Sequence, residues 1–103
     1  MHFIILDLEL TCWQGHAMNR EQEIIEIGAY RLTGFGEWTS RFHAFVKPLT
    51  NPRLSAYCQD LTGITQLQID SAHTFPSVFE SLAEWLEEES GNQVMGQIGR
   101  AHV

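Results

Sequence analysis

Two carboxylates placed two residues apart, Asp7 and Glu9, interrupt the apolar run Phe3-Ile4-Ile5-Leu6-Asp7-Leu8-Glu9-Leu10. In an extended strand, residues i and i+2 project from one face about 6–7 Å apart. An ionised carboxylate among Leu and Ile side chains is costly unless it is paired, protonated or bound to a cation, and a like charge beside it adds to the cost. A divalent cation removes both penalties, so metal-assisted chemistry is what this pair is equipped for. The alternative is a strand that ends near residue 6 and leaves both acids in water; the spacing alone leaves both readings open.

The elements that must position the pair follow from pattern. Phe3 to Leu10 reads as a strand buried on both faces, as in a sheet covered by helices. Thr11 to Asn19 has no periodicity and forms a loop that leaves directly from Glu9. Glu23 to Leu32 is a second strand ending at the Thr33-Gly34 turn, and Glu37 to Val46 a third, stopped by Lys47-Pro48, with a bulge expected near His43-Ala44. The short link Thr33 to Gly36 makes these two strands a hairpin. After the loop Thr50 to Arg53, Ser55 caps a short helix through Tyr57, Cys58 and Leu61 that Gly63 closes, and Thr65 caps a further turn, Gln66 to Ile69. The strongest helix begins near Pro76, with Phe75, Val78, Phe79, Leu82 and Leu86 as its apolar stripe. Its glutamates accumulate at the C-terminal end, where the helix dipole disfavours them, and fraying is expected beyond Leu86.

With 103 residues the chain holds one domain at most. A net charge of −7 repels phosphate backbones in general and excludes a basic nucleic-acid-binding arm, so any such contact needs a local feature, metal ions first among them. The two cysteines, Cys12 and Cys58, lack C-x-x-C spacing and read as reduced, semi-buried thiols of a soluble cytoplasmic protein, with a disulfide as the alternative. The apolar run at the N-terminus is too short to span a membrane and lacks the basic start and cleavage site of a signal peptide.

Four motifs occur in order: Asp7-Leu8-Glu9 followed by Thr11-Cys12-Trp13; Glu23-Ile-Ile-Glu26-Ile-Gly28-Ala; Phe45-Val-Lys-Pro48; and Ser55-x-x-Cys58 before Leu61-Thr-Gly-Ile-Thr65. Together they resemble the histidine-type branch of the DEDD superfamily of 3′–5′ exonucleases over roughly Phe3 to Leu86. The resemblance implies an α/β, ribonuclease-H-like fold, in which an antiparallel three-stranded meander forms the N-terminal part of a mixed sheet with packed helices. It implies that Asp7 and Glu9 are catalytic metal ligands, half of a four-carboxylate cluster for two Mg²⁺ or Mn²⁺ ions, and that single-stranded RNA or DNA 3′ ends are the substrate, RNA favoured. By the same analogy Leu10 and Thr11 contact the 3′-terminal nucleotide, and Ile64 and Thr65 line its pocket. Trp13 either stacks a base or serves as a core or lid aromatic. Glu26 is either an outer-shell group of the metal site or an exposed strand acid.

The departures are equally definite. The family pattern needs two further aspartates and a His-x-x-x-x-Asp motif; Asp60 and Asp70 lie in the wrong context, and the one histidine with Asp five positions on, His2, reaches only Asp7 of the acidic pair itself and no further carboxylate. His16 has Glu21 at that distance, but within the first loop. The pattern of the fold stops after Gly91, and Gln97 to Val103 resemble the in-frame translation of a common short-read sequencing adaptor. Residues 1–91 therefore read as the N-terminal part of an exonuclease domain and 92–103 as a non-native tail. A chain cut there is expected to lack turnover, to expose the edge of its first strand and to be poorly stable. Two alternatives stand beside the enzyme: a non-catalytic nucleic-acid-binding or interaction remnant of the same fold, and a small structural protein whose acids merely face solvent.

Overall fold

A computed structural model of the chain describes residues 2–15, 20–90 and 94–102. Three strands and three helices follow in the expected order: β1 (His2–Leu10), β2 (Ile24–Thr33), β3 (Trp38–Phe45), α1 (Ala56–Thr62), α2 (Gln66–Asp70) and α3 (Phe75–Ser90), after which β4 (Val94–His102) completes a sheet of order β3-β2-β1-β4. The first three strands form the antiparallel meander, and β4 lies parallel to β1. The element after Gly91 departs from the expectation of an exposed β1 edge. An extended segment there satisfies the outward N–H and C=O groups of β1 whatever its side chains, which sequence periodicity does not reveal.

β1 is covered on one face rather than two. Ile4 is buried, and Leu6 and Leu8 pack into a cluster of Ile27, Ala29, Val46, Val78 and Leu82, with Phe42, Trp85 and Leu86 at its margin. Phe3, Ile5, Asp7 and Glu9, one residue out of phase, are half-buried and belong to neither apolar cluster. The second cluster, Cys12, Ile25, Leu54, Cys58, Ile64 and Ile69, gathers where β1 ends and β2 begins and ties α1 and α2 to that end of the sheet.

Local chemistry explains the helix limits. The Ser55 hydroxyl accepts the Cys58 N–H at 2.9 Å, and Gly63, at φ 76°, ends α1 in the left-handed region that glycine tolerates. Thr65 and Gln68 close a capping box on α2. Three expectations are corrected. The irregularity between β2 and β3 lies where Arg31 faces Ser40 and Leu32 faces Trp38, skipping Thr39, and not at His43-Ala44. There Phe42 and Ala44 face α3 while His43 and Phe45 face away, so the alternation is regular and Phe45 joins the second cluster. The stripe of α3 is Val78, Leu82, Trp85 and Leu86; Phe75 and Phe79 stack on each other at 5.6 Å on the exposed side. Helical backbone also continues through Ser90 rather than fraying at Leu86.

One carboxylate holds the sheet to the following loop. Glu23 accepts the backbone N–H groups of Leu49, Thr50 and Asn51 at 2.8–3.0 Å. Burial by itself pushes this carboxyl up, but the three donors outweigh it and hold it below the ordinary glutamate range. The contribution is therefore present above the unfolded-chain value and is lost as pH falls through the lower, folded-state value. Glu23→Gln is expected to cost about 1 kcal/mol, roughly 4–8 °C in Tm at neutral pH. The gap between the two proteins should close as the pH is lowered past the glutamate range in thermal denaturation followed by circular dichroism.

Candidate metal and 3′-end site

Asp7 and Glu9 project side by side from the face of β1 opposite α3, as the pleat requires once Leu6 and Leu8 are fixed in the core. Across the ladder Asp7 faces Gly28 and Glu9 faces Glu26. Gly28 has a spatial reason to be glycine: a Cβ there would lie 3.2 Å from the Tyr30 hydroxyl, whose ring folds over that position beside Asp7. Glu26 lies on the same face as Glu9, but its carboxylate is bonded to His43 Nε2 at 2.5 Å, so it is engaged toward β3. Asp70 accepts from Gln66 Nε2, and Asp60 sits exposed on α1; neither is brought to Asp7. Among the described residues no group of three or more His, Cys, Asp and Glu side chains is arranged to hold a metal ion. The donor chemistry of Asp7 and Glu9 fits a hard divalent cation, but as two ligands of a larger set.

The segment after Glu9 is fastened rather than free. Thr11 is buried: its N–H donates to Glu23 O at 2.8 Å, its hydroxyl accepts the Glu23 N–H at 2.9 Å, and its carbonyl accepts Gln22 Nε2 at 3.1 Å. Its hydroxyl is thus committed to closing the loop. Leu10 is half-buried, and its carbonyl accepts the Cys58 thiol at 3.8 Å. Ser55 Oγ donates to the Cys12 carbonyl at 2.7 Å, so α1 begins against this same segment. Ile64 is buried in the cluster with Cys12 and Cys58, which brings the Leu-Thr-Gly-Ile-Thr turn to the end of β1, whereas Thr65 is exposed and caps α2. Trp13 is half-buried, with the Arg20 guanidinium carbon 5.1 Å from its ring centroid.

Cys12 and Cys58 are free and buried side by side in that cluster. Burial, followed by the hydrogen bond and charge of Cys58 and the charge of Glu9, pushes the Cys12 thiol up to about 12. The thiolate that alkylation or disulfide exchange requires is therefore suppressed. In the folded protein at pH 8 iodoacetamide should give no adduct at Cys12 within minutes, and in concentrated urea both cysteines should react, as read by intact-mass spectrometry. Sequence reading missed the roles of Glu23, Gln22, Tyr30 and Arg20. Only Gly28, a glycine inside a strand, signalled a close approach.

An exonuclease family model of the RNase T type matches residues 4–95, and the chain belongs to that family. Among curated proteins it is 45% identical over 92 residues to ERI1 exoribonuclease 2 of Danio rerio, covering 85% of this chain and 16% of that protein. It is 40% identical over 91 residues to the 3′-5′ exonuclease Snipper of Drosophila melanogaster, covering 85% and 32%. The chain thus spans a third or less of these relatives' own lengths. The nuclease domain of 3′hExo, a DEDDh family member solved bound to rAMP, superposes with a TM-score of 0.87 at 34% identity, covering 94% of this chain and 50% of that one. A 3′-exonuclease described as recognising the histone mRNA stem-loop superposes at 0.82 with 37% identity, covering 86% and 31%. The ribonuclease-H-like fold and the DEDD relationship expected from the motifs are thereby established.

Proposed function

We propose that the chain is the N-terminal part of a metal-dependent 3′–5′ exonuclease that hydrolyses phosphodiester bonds at the 3′ ends of single-stranded nucleic acid, RNA favoured, and that it does not turn over by itself. The observation that carries this reading is the pairing of Asp7 and Glu9 on the face of β1 away from the core, at the sheet end where the Thr11 latch and the Ile64 turn converge. Mg²⁺ or Mn²⁺ bound there would polarise the phosphodiester and lower the pKa of an attacking water. The chain's own contribution would be to hold two carboxylates at a fixed spacing, Asp7 and Glu9 both serving as ligands of the cation. Leu10 and Trp13 would meet the terminal nucleotide. Thr11 and Ile64 act from beneath, by fixing the loop and the floor of the pocket, and Thr65 fixes the turn through its cap. Glu26 stays an outer group, anchored by His43.

Two features support the lack of turnover: the chain holds no further Asp in family context, and its one His-x-x-x-x-Asp spacing, His2 to Asp7, ends on the acidic pair itself and supplies no later motif. Residues 92–103 are read as a non-native tail on the strength of the adaptor-like run Gln97 to Val103; the family match, which reaches Met95, overlaps the first four of these residues. Resequencing the locus beyond Gly91 checks this reading, and an uninterrupted gene should restore both missing motifs.

The absence of a third metal-ligating side chain near Asp7 among the described residues also favours a second reading, a nucleic-acid-binding remnant. Metal response separates the two. Mn²⁺ at about ten times its dissociation constant should stabilise the chain by about 1.4 kcal/mol, roughly 5–10 °C in Tm, and Asp7→Asn should abolish the shift. A 3′-end complex that survives EDTA and Asp7→Asn would instead establish the remnant.

A further inference from the structure

The loop from Thr11 to Glu23 carries one Lys or Arg, Arg20, and one tryptophan, Trp13, and the fold puts them in contact with the guanidinium over the indole. Both ends of this loop are locked together by the Thr11–Glu23 and Thr11–Gln22 hydrogen bonds, so the pair is tethered to a fixed point two residues from Glu9. Arg20 is exposed, and an exposed cation–π contact adds little to folding stability. Its value lies elsewhere. A guanidinium laid on a ring keeps its N–H edges outward, where they can grip a phosphate with two parallel hydrogen bonds, and the remaining indole surface can stack a base. On a chain of net charge −7, a cation on the loop that leaves Glu9 is what a phosphate backbone needs to approach.

We propose that Arg20 and Trp13 form one substrate-binding unit, the indole taking a base and the Arg20 guanidinium the adjoining phosphate of a single-stranded RNA 3′ end. This rests on the exonuclease reading above. Neither residue touches the reacting atoms, so both act on binding.

The test is fluorescence anisotropy of the full chain with a 5′-labelled single-stranded RNA decamer bearing a free 3′ hydroxyl, in Mn²⁺, across a series of KCl concentrations. Arg20→Ala should weaken binding about fivefold to tenfold and reduce the slope of log K against log salt by about 0.7, the contribution of one phosphate contact on a single strand. Trp13→Ala should weaken binding about tenfold with the slope unchanged, and Trp13→Phe, which keeps a stacking ring, should recover most of it. Unchanged affinity and slope in Arg20→Ala, with binding still lowered by Asp7→Asn, would overturn the unit and leave the exonuclease reading standing. Absence of any RNA binding by the unaltered chain would remove both. A drop in affinity for Arg20→Ala with no change in slope would assign Arg20 to loop packing and overturn the phosphate contact.

Discussion

The pleat of β1 is the constraint on which the rest of the molecule depends. Burying Ile4 and packing Leu6 and Leu8 on the cluster that includes Val78 and Leu82 of α3 forces Asp7 and Glu9 onto the opposite face at a spacing that no side-chain rotation can change by much. A register slip of one residue would put both carboxylates into the apolar cluster and three leucines and isoleucines outside it. The core and the acidic pair are therefore two consequences of one choice of register. β2 repeats the division, with Ile27 and Ala29 inward and Glu26 and Gly28 outward, so the polar face extends across the sheet as far as His43.

A second constraint acts at the end of the sheet. Glu23 is bonded in two directions, through its backbone to Thr11 and through its carboxylate to residues 49–51. This single residue couples the loop that leaves the carboxylate strand to the segment that leads into α1. The coupling continues through Ser55 to the Cys12 carbonyl and through Cys58 to the Leu10 carbonyl. The backbone from Leu10 to Cys12 is thus held on several sides. It also explains why Thr11 and Ile64 serve as supports rather than as exposed contacts.

Family membership and local geometry agree about what this part of the chain supplies. Relatives that are named exonucleases share this fold, and the structure sets Asp7 and Glu9 side by side on the face of β1 away from the core. What the chain brings is a pair of carboxylates held at fixed spacing on a strand. His43 prevents Glu26 from being counted as a third ligand by bonding its carboxylate.

By itself the sequence determined the strands, the hairpin, both short capped helices and the acidic pair. Each of these rests on local rules: period-two alternation, Ser55 and Thr65 as caps, Gly63 at positive φ. The family relationship was legible for the same reason, since its motifs are contiguous. Tertiary structure decided what local rules cannot reach. Which face of β1 is covered depended on where α3 lands, and Phe75 and Phe79, apolar at helical spacing, ended exposed because Trp85 and Leu86 took the contact instead. No break in alternation is needed at His43-Ala44, because Phe45 has a second cluster to join on the face opposite Phe42, and the irregularity lies at Thr39. The partners of Glu23 lie 26 to 28 residues away, and Arg20 reaches Trp13 by closure of a loop, so neither interaction leaves a periodic trace in the chain.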